Sequence, residues 1–441
     1  MCLQFFNLIK TCTCNRIHVV LGEDFKMKKR LTAMMTVMLA ILLTACSGGS
    51  AATTQNSESP SSPGASTAAA GESKDPIIVG ALLSQSGPQA QPGESAKKGI
   101  ELYFSQHNYM IGDRKVEIKY EDDEGNPQTG LRKYRQLINS SKADVVLGPL
   151  LSNVVYALTD EVQKVKKPMI IVTAAANDIS WSKKSDYMIR TSLSNWQSGT
   201  PGGKYFADKV GKTAYIVASD YPAGHEVAAG FKEAFIQAGG KVIEEAYPPL
   251  GANDYATNLN QIKQAKPELV FAFMPGADGI RFIKQYKEFG LKGNIPLTSS
   301  GEFGDVLITE PTGADSEGIY STFHYYPALE NETNKKFVEE FKAKYGKIPD
   351  FYSVYGYDAA QAFAEAVKKT GGSVKSDDLL KALKGITINS PRGSITIDPQ
   401  TNNPIQTFYA GRNVMKDGSI VFEPLANLGE MVMPEKDPAA K

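Results

Sequence analysis

Four histidines, four cysteines and 48 acidic side chains are the material from which this 441-residue chain could build reactive chemistry. The histidines, His18, His107, His225 and His324, fall in no metal spacing such as His-Glu-x-x-His. No Gly-x-Ser-x-Gly elbow supplies a nucleophile. Gly211-Lys212-Thr213 looks like the end of a phosphate loop, but Phe206 stands where the leading Gly is needed. That tripeptide also precedes a strand pattern, whereas a phosphate loop follows one and opens a helix. Asp122-Asp123-Glu124 runs into Gly125-Asn126-Pro127 and reads as a solvated turn. The chain is therefore not read as an enzyme, and neither metal nor cofactor is expected. The remaining candidates are hydroxyl, carboxylate and aromatic groups, which are suited to binding.

The cysteines carry a different message. Met27-Lys28-Lys29-Arg30 is followed by an apolar run from Leu31 to Leu43 and then by Thr44-Ala45-Cys46. A basic start, a short apolar stretch and small residues are the parts of an export signal, and the run is too short for a spanning helix. Leu43-Thr44-Ala45-Cys46 resembles the bacterial lipoprotein signal, which implies cleavage before Cys46 and lipid on its sulfur. The alternative is an ordinary signal peptide (27–45) with an incidental cysteine. Residues 1–26 hold Cys2, Cys12 and Cys14 and match no part of the signal. They read as an upstream extension before a true start at Met27, or else as a long basic region. After processing one cysteine is left, so the exported part has no internal disulfide. Residues 46–74 are mostly Ser, Gly, Ala, Thr and Pro and read as a flexible tether. With 48 basic against 48 acidic residues and no basic stripe, nucleic acid is not an expected partner.

From Asp75 onward the pattern is α/β. Ile77–Leu83 is a continuous apolar run that reads as a strand buried on both faces. Helix 94–108, strand 116–120, helix 128–141, strand 144–148, helix 153–165 and strand 169–172 follow. The alternation restarts with strand 213–218, helix 225–238, strand 241–244, helix 255–265, strand 269–273 and helix 277–289. Helices near 332–345, 353–370 and 376–384, with strands near 393–397 and 405–410, complete one or both units. Two open parallel sheets would place a ligand at the carboxyl ends of their strands.

Several segments then carry a family resemblance. Val79-Gly80-Ala81-Leu82-Leu83-Ser84-Gln85-Ser86-Gly87-Pro88, Gly148-Pro149-Leu150-Leu151-Ser152, Ile189-Arg190-Thr191-Ser192, Asp220-Tyr221-Pro222-Ala223-Gly224 and Tyr355-Gly356-Tyr357-Asp358-Ala359-Ala360 resemble the branched-chain amino-acid-type solute-binding proteins of ABC importers. The resemblance spans nearly all of 75–435. It implies the type I periplasmic-binding-protein fold, two Rossmann-like lobes with parallel sheets joined by three hinge crossovers near 194–198, 321–326 and 400–405. One lobe would combine 75–195 with 325–400, and the other 197–322 with 404–435. Such proteins close on a ligand as a hinged clamp.

The resemblance also points to a site. Ser152, at a strand-to-helix turn, matches a Ser that bonds a ligand carboxylate, and can equally cap its helix. Ala176 and Asn177 match a backbone contact and a hydroxyl position, so Asn177 is a departure. Thr173 is a wall residue or a packing one. Pro92 and Ala223 stand where aromatic walls are common, with Tyr221 two residues before Ala223. The phrase Arg190-Thr191-Ser192-Leu193-Ser194-Asn195-Trp196-Gln197 looks more like relatives that take aromatic or other organic acids. Trp196 stacks on the ligand or packs the hinge. Glu302 lies near the family's acidic position and would face a ligand ammonium, with Asp278 as its rival. Phe323 and Tyr325 are aromatic candidates at the second crossover.

The expectation is a lipid-anchored, extracytoplasmic protein that captures a small amino acid or organic acid and delivers it to an ABC permease. The other reading is a ligand-sensing receptor subunit of the same fold that signals through a membrane partner.

Overall fold

The computed structural model describes residues 75–438, so the extension, signal and tether, with Cys46, lie outside the described residues. The first sheet contains β1 (Ile77–Leu83), β2 (Met110–Ile111), β3 (Arg114–Asp122), β4 (Val145–Leu147), β5 (Met169–Ile171) and β6 (Met188–Arg190). Its order is β2-β3-β1-β4-β5-β6, parallel except for the β2–β3 pair. β1 is central and buried apart from the half-buried Ile78, which is why it reads as unbroken apolar sequence. α1 (Ala90–Gln106), α2 (Pro127–Asn139) and α3 (Ser152–Val165) connect these strands. Asn126 caps α2 by accepting from Gln128 N and Thr129 N, with Pro127 at the first helical position. α1 starts earlier than the sequence pattern suggests, so Pro92 sits in its first turn, where a missing N–H costs nothing.

The chain then enters a second sheet through α4 (Asn195–Lys209), which the sequence reading passed over as a crossover. α4 contains Gly199, Pro201, Gly202 and Gly203, poor helix formers all. Two features outweigh them. Ser194 and Gln197 form a reciprocal capping box. Gly199 also lets α4 lie backbone to backbone on the following α5 (Pro222–Gln237): a Cβ there would stand 2.1 Å from the Val227 carbonyl oxygen. β7 (Thr213–Ala218) precedes α5. β8 (Lys241–Ala246), α6 (Ala256–Ala265), β9 (Leu269–Phe273), α7 (Ala277–Glu288), β10 (Leu297–Ser300), α8 (Val306–Thr312) and β11 (Tyr320–Phe323) follow it.

After β11 the chain returns to the first lobe as α9 (Glu332–Tyr345), α10 (Phe351–Lys369) and α11 (Ser376–Leu383). Their Phe337, Phe341, Val354, Phe363 and Leu379 share one core with Val79, Ile100 and Phe104. α10 lies directly on α1, and a Cβ on Gly99 would stand 1.8 Å from the Ser353 carbonyl oxygen. The hairpin of β12 (Thr387–Ser390) and β13 (Gly393–Ile397) then leads into β14 (Pro404–Lys416), which pairs along its length with β15 (Ser419–Met431). β14 pairs with β13 at Pro404 and Ile405, and with β11 from Tyr409 to Arg412, so one strand runs from the first lobe into the second. The strand order is β12-β13-β14-β11-β10-β9-β7-β8, with β7 to β11 parallel. This is a mixed α/β molecule of two lobes, with β6–α4, the segment after β11, and β14 as its crossings.

Candidate functional site

The first-lobe wall forms where β4 and β5 end. Ser152 is the first residue of α3, and Leu151, not Ser152, holds the N-cap position without a side-chain bond. The Ser152 hydroxyl instead accepts the Ala176 N–H at 3.1 Å. A serine oxygen that accepts one bond keeps its own O–H to donate. The amide polarises that O–H, and the positive end of α3 favours an anion in front of it. Thr173, at the end of β5, offers a second hydroxyl that is buried without a partner. The structure thus joins Ser152 to Ala176, with Thr173 three residues before Ala176 on the same loop.

The loop carrying these groups rests on Arg190. Its Nη1 donates to the carbonyls of Ala174 and Ala176 at 3.2 and 3.0 Å, and its Nη2 donates to Ser180 Oγ at 2.6 Å. Burial pulls its pKa down to about 9, which leaves it cationic at neutral pH. Sequence reasoning found Arg190 only as part of a phrase; the buried cation under the loop is a structural finding.

Asn177 faces the second lobe. Its Oδ1 accepts Trp196 N at 2.8 Å, and its backbone N–H donates to Glu226 Oε2 at 3.0 Å. The same Glu226 oxygen accepts Asn195 Nδ2 at 2.9 Å. Trp196 is in the first turn of α4 and half-buried, beside the crossing it was expected to mark.

The second-lobe wall is acidic and aromatic. Tyr221 occupies the N-cap position of α5 and stacks on Phe273 at 6.3 Å. Glu302, just beyond β10, is half-buried among Gly301, Phe303 and Gly304, which are buried, and among the described residues no hydrogen bond reaches its carboxylate. Burial raises its pKa to about 7. Its charge is felt by Tyr221, Tyr352 and Tyr355, whose hydroxyls burial drives well above the tyrosine range. Asp278 is spent locally, accepting from Gly251 N at 2.7 Å and pairing with Arg281. Phe323 packs edge-on against Phe351 and over Gly301, next to Glu302. Tyr325 is wholly buried. Tyr352 and Glu226 were not singled out from the sequence: Tyr352 stands in an aromatic run that resembles core, and Glu226 has no local signature. Among the described residues no His/Cys/Asp/Glu group is arranged for a metal ion, and no helix is long and apolar enough to cross a membrane.

Two facing lobes with polar groups at their strand ends define a ligand-binding protein. The chain belongs to the periplasmic binding protein family, whose model matches residues 76–419. It is 32% identical over 349 residues to the Leu/Ile/Val-binding protein homolog 6 of Brucella melitensis, covering 78% of this chain and 89% of that protein. A solute binding protein of an ABC transporter from Rhodopseudomonas palustris BisB5, solved with 3,4-dihydroxy benzoic acid, superposes with a TM-score of 0.76. It shares 32% identity over 81% of this chain and 98% of the other. A second R. palustris solute binding protein, solved with benzoate, gives 0.74 and 32% identity over 82% and 98%.

Proposed function

We propose that this protein binds a small aromatic carboxylic acid between its lobes and passes it to an ABC permease. The observation that carries this reading is the Ser152 hydroxyl, polarised by the Ala176 N–H at the start of α3. A ligand carboxylate would accept from Ser152 and from Thr173. The ring would lie among Tyr221, Phe323 and Tyr352, and Glu302 would accept from a hydroxyl at the far end. The aromatic acids in the two R. palustris proteins support this choice. The export signal and Cys46 support an extracytoplasmic, lipid-anchored protein.

An amino-acid ligand is the second reading. Glu302 would then pair with its ammonium, and the name of the B. melitensis relative favours it. Thermal-shift and calorimetric titrations of the full chain with benzoate, 4-hydroxybenzoate and leucine separate the two. A ligand present at a hundred times its Kd adds about 2.7 kcal/mol of stability. Stabilisation by leucine without any by the aromatic acids would overturn the first reading.

A further inference from the structure

The amide of Asn177 is in the first lobe, one residue beyond the Ala176 N–H that orients Ser152. Its acceptor, Glu226, stands on the second turn of α5, in the core-forming layer of the second lobe. The bond between them, 3.0 Å long, crosses from lobe to lobe. The other bond to the same oxygen, from Asn195 Nδ2 at 2.9 Å, comes from α4, which packs on α5. Asn195 is itself tied to the Asn177 loop, its backbone N–H donating to the Ala175 carbonyl at 2.7 Å. Both bonds to Glu226 therefore join α5 to that loop and the adjoining crossing, and a movement of α5 away from the first lobe acts on both.

Asn177 contributes its side chain to the same junction, accepting Trp196 N at 2.8 Å. Its side chain is thus committed to the crossing at the start of α4, and its backbone N–H to Glu226 on α5. Arg190 holds the carbonyls of Ala174 and Ala176 from below, so the loop is fixed on one side by a cation and on the other by Glu226.

We propose that Glu226 is a positioning residue that latches the clamp shut: it gathers the Asn177 amide and the Asn195 side chain on one oxygen when α5 closes on the first lobe, and so fixes the loop that presents Ser152. This assigns Asn177 to closure and not to ligand contact. It rests on the clamp reading of the molecule, and not on which ligand the clamp holds.

The test measures closure without ligand. Lys164→Cys on α3 and Gln237→Cys on α5 take spin labels, in a full chain whose own Cys2, Cys12, Cys14 and Cys46 are changed to Ser. Electron–electron distances are then compared in that background and with Glu226→Ala or Glu226→Gln. Glu226→Ala should lengthen the unliganded distance. Glu226→Gln, which keeps an acceptor oxygen of the same reach, should restore part of the shorter population. Losing one charge-assisted bond across the cleft should weaken benzoate binding roughly tenfold, through faster dissociation. Identical distances in all three proteins would overturn the proposal whatever the ligand does. If the unaltered protein fails to bind benzoate, the ligand reading falls while the distances still decide the latch. Circular dichroism and a melting curve on each variant establish that it is folded, and the Gln variant decides the matter if the Ala variant is not.

Discussion

Arg392 donates to one and the same oxygen of Asp358 from Nε and from Nη2, at 2.8 and 2.6 Å. Both side chains are almost wholly buried. The remaining donors of Arg392 go to the carbonyls of Thr191 and Ser192 at 2.7 and 3.2 Å, and to Gln406 Oε1. Its guanidinium lies over the ring of Tyr355, which stacks on His324 just after β11. One ion pair therefore touches two of the crossings between the lobes directly and reaches the third through the Tyr355 ring. Removing one partner strands a buried charge. Arg392→Met should cost about 3–5 kcal/mol, and Asp358→Leu combined with it should recover most of that loss. Urea unfolding of the single and double variants measures both. A single variant within about 1 kcal/mol of the parent would mean that the pair is not a structural hub.

Glu302 should make stability and binding depend on pH. Its pKa rises from 4.5 to about 7 in the folded protein because burial disfavours the anion. Between these values the folded state holds a proton that the unfolded chain has released. Stability from this group is therefore full below the unfolded value, falls as pH rises through the window, and is flat above it. The cost above pH 7 is about 3 kcal/mol. Glu302→Gln should thus gain stability over the parent at pH 8 and little at pH 4. Taking the difference between variant and parent cancels the other buried acids, such as Asp358 and Glu226, whose pKa values are also raised. A gain that is the same at both pH values would show that Glu302 does not titrate in that window.

Gly99 predicts a purely steric effect. The Ser353 carbonyl oxygen occupies the space that a Cβ would need. Because that neighbour is backbone on a packed helix, it cannot swing away. Gly99→Ala should cost about 1–3 kcal/mol through forced separation of α1 and α10, despite alanine's better helix propensity. A melting temperature equal to or above the parent's would refute this packing argument.

What the sequence disclosed followed from how locally each feature is encoded. β1 and β9 are continuous apolar runs because both faces are covered, so they were legible. β10, Leu297-Thr298-Ser299-Ser300, is just as buried but polar, and it was missed. Its Thr298 and Ser299 hydroxyls donate to the carbonyls of Val270 and Ala272 on β9, at 3.0 and 2.8 Å, which makes burying them tolerable. No hydrophobicity pattern reports such a bond. α4 was hidden by glycines that serve contact with α5, a reason found only in the tertiary structure. The site divides the same way. Ser152 is marked by its turn, but its pairing with Ala176 spans 24 residues, and that of Glu226 with Asn177 spans 49. Contacts of that range leave no spacing to read.

Cys46 carries the anchoring prediction. If Cys46 is lipidated, metabolic labelling with a fatty acid marks the protein, and the protein fractionates with membranes. Cys46→Ala should abolish the label and release the protein, since a single cysteine sulfur would hold the chain to the bilayer. Membrane association that survives the substitution would rule out the lipid anchor.

Ser152→Ala tests the carboxylate end of the proposed site. In the free protein the change removes the acceptor of the Ala176 N–H, so it acts on both stability and affinity. The two effects separate because stability is measured without ligand. An unpaired buried amide costs about 1–3 kcal/mol of stability, and less if water reaches it. Loss of the donor to a ligand carboxylate should cost a further 1.5–3 kcal/mol of binding, about 10- to 150-fold in Kd. Thr173→Val keeps the side-chain volume and removes only a hydroxyl that has no partner in the free protein. It should leave stability unchanged or slightly raised, because a buried orphan is removed. If Ser152→Ala lowers stability but not affinity, Ser152 only supports the loop. A loss of affinity in Thr173→Val would then move the carboxylate contact to the end of β5.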